Sequence, residues 1–319
     1  MSANHFFKKY GVNEKLNRRE FLKQQAGAAM LLAGGTAGLS LPRSLWAAGT
    51  PDISVVTGEP GPATRKAIEM LGGMSAFVRP GNRVVIKPNM SFAHDTDRAT
   101  NTHPDVVREL VAMCKEADAG RIRVLDHPLR NAEMCIEGIR KACGVFNEDM
   151  VYGLTRSKFY KPAKIVRGVD MKETDVMRDV SEADVLIAAP VAKSHGSAGV
   201  SLSMKGMMGL IWNRWIMHSR YDLHSAIADL ASLLTPQLVV VDASRVLSTD
   251  GPSGPGKVLK AKTIIASADM VAADAQTVRM FEWYGRRFEP RQVKHIRLAH
   301  ERGLGRMDVE NLSVRQVAL

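Results

Sequence analysis

Lysine, histidine and aspartate side chains stand in or directly after several apolar, strand-like runs of this sequence. Lys87 stands in RVVIKPN, Lys193 and His195 follow ADVLIAAP, and Asp242 lies in QLVVVDAS. Lysine binds anions as a point charge, histidine transfers protons near neutral pH, and aspartate acts as a base or a cation ligand. These residue types predict a site for an anionic ligand, with acid–base chemistry available in it.

The candidate residues form two groups with different expected roles. Catalytic roles are expected for Lys193, His195, Lys205 and Asp242. Ligand or cofactor binding is expected for Lys87, Asn89, Asp250, Gly251, Gly254, Asp269 and Asp274. No HExxH or similar spacing occurs, so a metal site has to assemble from distant segments, and the sequence assigns neither a metal nor a cofactor. Two further histidines, His295 and His300, are expected on the surface of a basic helix.

The glycine-rich segment GPSGPGK, residues 251–257, partly fits a phosphate-binding loop. Val258 stands where that motif needs serine or threonine to hold magnesium, and Pro252 and Pro255 each lack the backbone N–H that would bind a phosphate. A strand-like run follows, instead of the helix that completes such a site. We therefore exclude an ATP-hydrolysing loop and predict a rigid turn that shapes the site, with Asp250 in reach of a ligand.

Continuous apolar runs alternate with helical segments between residues 48 and 319. Such runs suit strands buried on both faces of a sheet, and their alternation with helices predicts parallel pairing through right-handed crossovers. We predict an α/β fold with a mainly parallel sheet flanked by helices, and a ligand crevice at the carboxyl ends of the strands. The predicted strands cover residues 52–58, 83–89, 121–126, 163–168, 183–190, 237–244 and 261–267. The predicted helices cover residues 61–74, 102–117, 132–143, 224–234 and 269–284.

Residues 1–47 have the pattern of a twin-arginine signal peptide. NRREFLK places two arginines before a moderately apolar run, residues 26–41, and SLWAAG follows. The run is shorter than the ~20 residues that a spanning helix needs, so we predict no stable membrane span, with an uncleaved leader or anchor as the other interpretation. The predicted organisation is a signal peptide, residues 1–47, then an α/β domain, residues 48–319. The predicted location is the periplasm, reached through the twin-arginine translocation machinery.

Net charge and cysteine usage narrow the classes of partner. Residues 1–47 hold seven Lys/Arg and two Asp/Glu, a net of +5 out of +11 for the chain, which leaves about +6 for the remainder. That charge forms no basic run, which argues against nucleic-acid binding and leaves a local preference for a small anion. Cys114, Cys135 and Cys143 lack CxxC spacing, so we predict small buried side chains with at most one disulfide, and a site built from all three cysteines is the other interpretation, without support from their spacing.

The ordered motifs VVIKPNM, THPDVVRELV, ADVLIAAPVAKSHGSAGVSLSMKGMMGLI, DGPSGPG and SADMVAADA resemble the domain of unknown function 362 family. The resemblance runs from about residue 52 to 316. Three positions depart from the family pattern: Ser194 replaces a threonine, Gly206 an asparagine after the motif lysine, and Met270 a proline. The residues that match the family motifs are Lys87, Pro88, Asn89, Lys193, His195, Lys205, Gly209, Asp250, Gly251, Pro252, Gly254, Asp269, Ala272 and Asp274.

The resemblance assigns no reaction, because the activity of the family is not established. Many members are similar to iron–sulfur proteins through an attached ferredoxin-like domain, and this sequence lacks the cysteines of such a domain. Two functions follow as expectations. The first is an exported enzyme that binds a small anionic substrate or cofactor through its clustered Lys, His and Asp residues. The alternative is a non-catalytic periplasmic accessory protein that binds a redox partner protein or a metal.

Overall fold

A computed structural model describes residues 49–319, and these residues build a mostly parallel central sheet flanked by helices. The predicted fold class is confirmed. The predicted signal peptide lies outside the described residues. Within residues 49–319, no helix is both long enough and apolar enough to cross a bilayer.

The strands of the main sheet and of two small two-stranded sheets are numbered in chain order. They are β1 (Ile53–Thr57), β2 (Arg83–Pro88), β3 (Arg121–Asp126), β4 (Val151–Gly153), β5 (Tyr160–Lys164), β6 (Glu173–Met177), β7 (Val185–Ala189), β8 (Val191–His195), β9 (Gly199–Ser201), β10 (Leu238–Leu247), β11 (Val258–Leu259), β12 (Thr263–Ser267), β13 (Glu282–Trp283), β14 (Arg286–Arg287) and β15 (Val314–Ala318).

The α-helices are numbered in the same way. They are α1 (Pro60–Met70), α2 (Pro104–Glu116), α3 (Ala132–Cys143), α4 (Arg178–Glu182), α5 (Ser203–Gly206), α6 (Ile216–Ser219), α7 (Leu223–Leu233), α8 (Met270–Met280) and α9 (Lys294–Glu301). His103 caps α2 by accepting a hydrogen bond at its Nδ1 from the Asp105 N–H, and Pro104 opens the helix.

The main sheet runs in the order β15-β1-β12-β10-β7-β2-β3-β4, and β8 extends the pairing of β10. Strands β10, β7, β2, β3 and β4 are parallel neighbours, so their carboxyl ends share one edge of the sheet. We call this edge the carboxyl edge. Side chains that alternate along the strands enter two separate apolar cores, as Val85 and Ile86 of β2 do. The strands are therefore buried on both faces, which explains their unbroken apolar runs.

Two strand predictions are corrected by the topology. β12 pairs antiparallel with β10, with Val239 opposite Ser267, so the carboxyl end of β12 lies at the opposite edge from the carboxyl edge. The strand predicted over residues 163–168 instead occupies Tyr160–Lys164 and pairs only with β6, outside the main sheet. Neither correction changes the fold class. Because β12 is antiparallel to β10, the residues that follow β12 do not join the predicted ligand crevice through that strand.

Candidate functional site

Three lysine side chains are buried together at the carboxyl edge, and we call them the lysine cluster. Lys87 ends β2 and is 3% exposed, Lys193 lies in β8 and is 2% exposed, and Lys205 lies in α5 and is 8% exposed. The charges of Lys87 and Lys205 both act to lower the pKa of Lys193, as expected for close neighbours. The sequence predicted all three residues for the site, and the structure brings them together.

Lys87 forms an ion pair with Asp126 at the lysine cluster. Its Nζ lies 3.3 Å from Oδ1 of the fully buried Asp126 and donates a hydrogen bond of 2.6 Å to the carbonyl oxygen of Pro88. Asp126 Oδ2 also accepts hydrogen bonds from the backbone N–H of Met90 and the hydroxyl of Ser91. Burial nevertheless lowers the pKa of Lys87, and the attraction of Asp126 only partly opposes that effect. Asp126 is thus fixed as the counter-charge of the cluster.

Lys193 lies deepest among the three lysines. Its Nζ donates a hydrogen bond of 2.6 Å to the carbonyl oxygen of Thr100 and lies 5.2 Å from the centre of the Phe92 ring. Burial, followed by the charge of Lys87, lowers its pKa to about 7. An amine with this pKa exchanges its proton near neutral pH, which is what an acid–base group needs.

Lys205 carries the third ammonium group, and a nearby guanidinium adds a fourth positive charge. Burial, followed by the charge of Arg214, lowers the pKa of Lys205 to about 8. The nearest polar atom to Lys205 Nζ with a described contact is the sulfur of Met208, at 3.4 Å. Burial also lowers the pKa of Arg214, whose Nη2 donates to the carbonyl oxygen of Pro128. Among the described residues, Asp126 is the carboxylate that opposes the charges of Lys87, Lys193 and Arg214.

His195 ends β8 beside this cluster and stays uncharged. Its Nδ1 accepts a hydrogen bond of 3.3 Å from the Ala198 N–H, and its ring lies 6.2 Å from the His218 ring. Burial, followed by the charge of Lys205, lowers the pKa of His195 to about 3. Because Nδ1 accepts, the ring proton is assigned to Nε2. His195 is therefore a neutral hydrogen-bond donor beside the lysine cluster.

Asp242 and Asn89 also lie at the carboxyl edge, where their oxygens are bound by protein groups. Asp242 accepts hydrogen bonds from the backbone N–H of His103, from the Arg245 guanidinium, and from the backbone and hydroxyl of Ser244. Asn89 Oδ1 accepts from the Val191 N–H at 2.9 Å, which fixes the start of β8. The described contacts of Asp242 and Asn89 hold neighbouring segments of the protein in place.

The glycine-rich loop packs against the strand that carries Lys193. The Gly251 N–H donates to the Ser194 hydroxyl at 2.9 Å, and a Cβ on Gly251 would lie 1.9 Å from the Ser194 carbonyl oxygen. Gly254 has φ +64°, a left-handed conformation that suits glycine. Asp250 is exposed, with its carboxylate accepting from the Thr249 hydroxyl. The loop thus packs closely against β8 at Ser194, and its predicted role as a rigid turn that shapes the site stays a prediction.

Asp269 and Asp274 follow β12 and therefore do not join the carboxyl edge through that strand. Asp269 caps α8 by accepting from the N–H groups of Val271 and Ala272. Asp274, fully buried in α8, accepts from the backbone N–H groups of Ser203 and Met204 at the start of α5. Burial raises the pKa of Asp274 to about 6. Asp274 is thus a positioning residue for the short helix that carries Lys205.

Three residues important to this geometry were not among the predicted site residues, namely Asp126, Gly209 and Arg214. A Cβ on Gly209 would lie 2.0 Å from Asp126 Oδ1 and 2.6 Å from Lys87 Cε, so only glycine fits there. Asp126 ends a predicted strand, and that position was its signal. Arg214 follows no strand, and nothing local in the sequence marks it.

The metal and thiol predictions have simple outcomes. Within residues 49–319, no set of three or more His, Cys, Asp or Glu side chains converges to hold a metal ion. Cys114, Cys135 and Cys143 are buried and free, so the predicted buried thiols are confirmed and the disulfide alternative is not.

Comparison with known proteins gives one family and several distant relatives. A family model described as "Domain of unknown function (DUF362)" matches residues 84–279. A thylakoid-associated protein of Synechocystis sp. is 24% identical over 217 residues, which cover 66% of this chain and 66% of that protein.

Two solved structures are similar at low identity. A lactate racemase apoprotein from Thermoanaerobacterium thermosaccharolyticum has a TM-score of 0.48 and 12% identity, covering 70% of this chain and 55% of that one. A protein from Thermotoga maritima has a TM-score of 0.38 and 13% identity, covering 77% of this chain and 60% of that one.

Proposed function

The chain belongs to the family described as Domain of unknown function (DUF362), and from that premise we propose that it is an enzyme acting on a small, multiply charged anion. The anion binds the ammonium groups of Lys87, Lys193 and Lys205 at the carboxyl edge. Lys193 and His195 transfer or stabilise protons on it. The observation that carries this proposal is the burial of three lysines, with the half-buried Arg214 nearby, against Asp126, the carboxylate described beside them.

Two of the three buried ammonium groups, those of Lys193 and Lys205, have no ion pair among the described residues. A buried ammonium group that lacks a counter-ion costs several kcal/mol, so a chain keeps such groups where a ligand or a reaction requires them. Of the three lysines, Lys87 has the described ion pair. Lys193 and Lys205 are held by a carbonyl oxygen and a thioether contact respectively, which leave their charge uncompensated. An anion supplies the missing negative charge.

The charge balance also indicates the ligand class. With all groups protonated, three lysines and Arg214 against Asp126 leave three positive charges at the site. A dianion or trianion, such as a phosphate ester or a dicarboxylate, matches this excess better than a monocarboxylate. A lysine with a pKa of about 7 next to a bound anion then serves as the acid or base, and His195 donates through Nε2.

We predict that binding of a dianion takes up about one proton per chain at pH 7.5. An anion raises the pKa of Lys193 from about 7 and of Lys205 from about 8, so both become fully protonated on binding. The uptake falls towards zero at pH 6, where both amines already carry their protons. Calorimetric titration with sulfate or malonate, in two buffers of different ionisation enthalpy, measures the protons directly.

The matched control for this titration is Lys260→Met, because Lys260 is an exposed lysine away from the lysine cluster. The control is expected to bind with the same affinity and proton uptake as the original chain. Absence of binding by every dianion tested, or binding without proton uptake at pH 7.5, contradicts the proposed site.

We also propose that the protein is exported to the periplasm by the twin-arginine pathway, supported by the arginines in NRREFLK. The double substitution Arg18→Lys with Arg19→Lys keeps the charge and is expected to retain the protein in the cytoplasm. Fractionation of expressing cells measures this, with Lys8→Arg and Lys9→Arg as the control pair. Equal periplasmic amounts of both double variants contradict export by this route.

The alternative function, a metal-binding or redox accessory protein, depends on a different group of residues. The lysine cluster repels cations, so these residues do not favour a metal-binding function. One histidine pair outside the cluster does point to a metal ion.

A further inference from the structure

Two histidine rings face each other between helices α7 and α9. His224 lies in the first turn of α7 and His295 in the first turn of α9, and their ring centres are 5.7 Å apart with an angle of 18° between the planes. The sequence predicted His295 on the surface, and this is wrong, because the residue is fully buried. The basic neighbours of His295 do face solvent, and its own side chain lies on the inward face of the helix.

The ring nitrogens of this pair lack protein partners. Both Nδ1 and Nε2 of His295, and Nδ1 of His224, are buried without a hydrogen bond. Burying such an atom without a partner costs the free energy of removing it from water, with no hydrogen bond in return. A buried polar group without a partner is uncommon in native proteins and indicates an ion, a water or a ligand that satisfies it. His295 is the strongest such case among the described residues.

The charge state of both rings suits a metal ligand. Burial, followed by the charge of His224, lowers the pKa of His295 to about 3, and burial also lowers the pKa of His224. Neutral imidazole is the form that binds metals. The charge of Lys205 also acts on His295, and Asp222 and Lys294, whose side chains pair at 2.7 Å, act on His224.

The spacing of the rings also fits a shared ion. Two imidazoles that bind one Zn²⁺ at about 2.0–2.1 Å have ring centres about 5–6 Å apart. The observed 5.7 Å lies in that range, and because the rings are stacked, a rotation of at least one ring is needed to point both lone pairs at one ion. Two ligands from two different helices leave the remaining positions of the ion to water or to an anion, since no third His, Cys, Asp or Glu of residues 49–319 completes the set.

We propose that His224 and His295 together bind a divalent transition-metal ion, such as Zn²⁺, between α7 and α9. Asp222 and Lys294 hold the two helix starts together through their ion pair and so fix the two rings. The proposal is independent of the anion site, because it rests on different residues.

Zinc titration of the metal-free, untagged chain tests this proposal. Calorimetry is expected to find one Zn²⁺ per chain, bound at least 30-fold more weakly by His295→Leu and by His224→Leu. The metal-free His295→Leu variant is expected to melt at a higher temperature than the original chain, because it removes two unpartnered buried nitrogens. That rise also shows that the variant is folded, so lost binding is not a consequence of unfolding.

His300→Gln is the matched control, because His300 lies on the same helix with its Nδ1 partnered by the Gly305 carbonyl oxygen. The control is expected to bind zinc like the original chain. The proposal is overturned if the metal-free chain binds no Zn²⁺. It is also overturned if both leucine variants keep full affinity, or if His195→Leu removes binding while His295→Leu does not.

Discussion

Lys193→Met is expected to raise the melting temperature of the ligand-free protein at pH 7 by about 2–5 °C and to abolish dianion binding. The substitution keeps the length of the side chain and removes a buried ammonium group that other lysines repel. The lost hydrogen bond to the Thr100 carbonyl and the lost contact with Phe92 offset part of the gain. We therefore expect Lys193→Met to stabilise the ligand-free protein and, at the same time, to lose dianion binding.

The sign of the pH dependence follows from the lowered pKa of Lys193. The unfolded chain binds this proton up to pH ~10.5 and the folded chain only up to about pH 7, so protons favour the unfolded state between these values. Stability of the original chain therefore rises as the pH increases from 7 to 10, and this rise is smaller in Lys193→Met. Thermal unfolding at pH 7 and at pH 9.5 measures the difference.

Lys260→Met serves as the control again and is expected to change neither the melting temperature nor its pH dependence by much. A purely structural role for Lys193 gives the opposite result. In that case Lys193→Met lowers the melting temperature and leaves dianion binding intact.

Gly209→Ala is expected to have the largest effect on stability, a loss of several kcal/mol. The added methyl would lie 2.0 Å from Asp126 Oδ1 and 2.6 Å from Lys87 Cε. Both side chains are buried and held by further hydrogen bonds, from Lys87 Nζ to the Pro88 carbonyl oxygen and from the His127 N–H to Asp126 Oδ1, so neither has room to retreat. The variant must break the buried Lys87–Asp126 pair or move the Met207–Leu210 turn. Chemical denaturation and anion titration measure the two consequences.

Gly206→Ala is the matched control for Gly209→Ala in the same segment. A Cβ at Gly206 meets no atom closer than Pro190 Cβ at 4.0 Å, and the residue lies in helix α5. Alanine there is expected to be neutral or to stabilise by up to about 1 kcal/mol. Equal stability of both alanine variants would mean that the Lys87–Asp126 contact does not depend on Gly209.

The fold was largely predictable, because burial on both faces leaves a strong pattern in the sequence. The apolar runs located the strands, and helix α3 occupies the predicted residues. The direction of β12 was not predictable, since a strand buried on both faces has the same pattern whether it runs parallel or antiparallel. That single direction decides that Asp269 lies at the far edge of the sheet.

The site was predictable where it depends on strand ends and not where it depends on tertiary contacts. Lys87 and His195 lie at or next to strand ends, where the rule for parallel sheets predicts a site, whereas Lys193 lies inside β8, a strand that the sequence did not predict. Arg214 reaches the site from a segment without a strand, and the burial of His295 depends on how α9 packs against α7. Asp242 has the residue type of a base, but its contacts are with protein groups that the sequence does not reveal.

The proposal that a dianion binds at the lysine cluster is tested most directly by the position of a bound dianion in a crystal of this chain. Selenate carries two negative charges, and selenium gives an anomalous signal that identifies it. If the lysine cluster is the anion site, an anomalous peak is expected at the carboxyl edge, with selenate oxygens within about 3 Å of Nζ of Lys193 and of Lys205. Selenate bound elsewhere, with the lysine cluster empty, rules out this anion site.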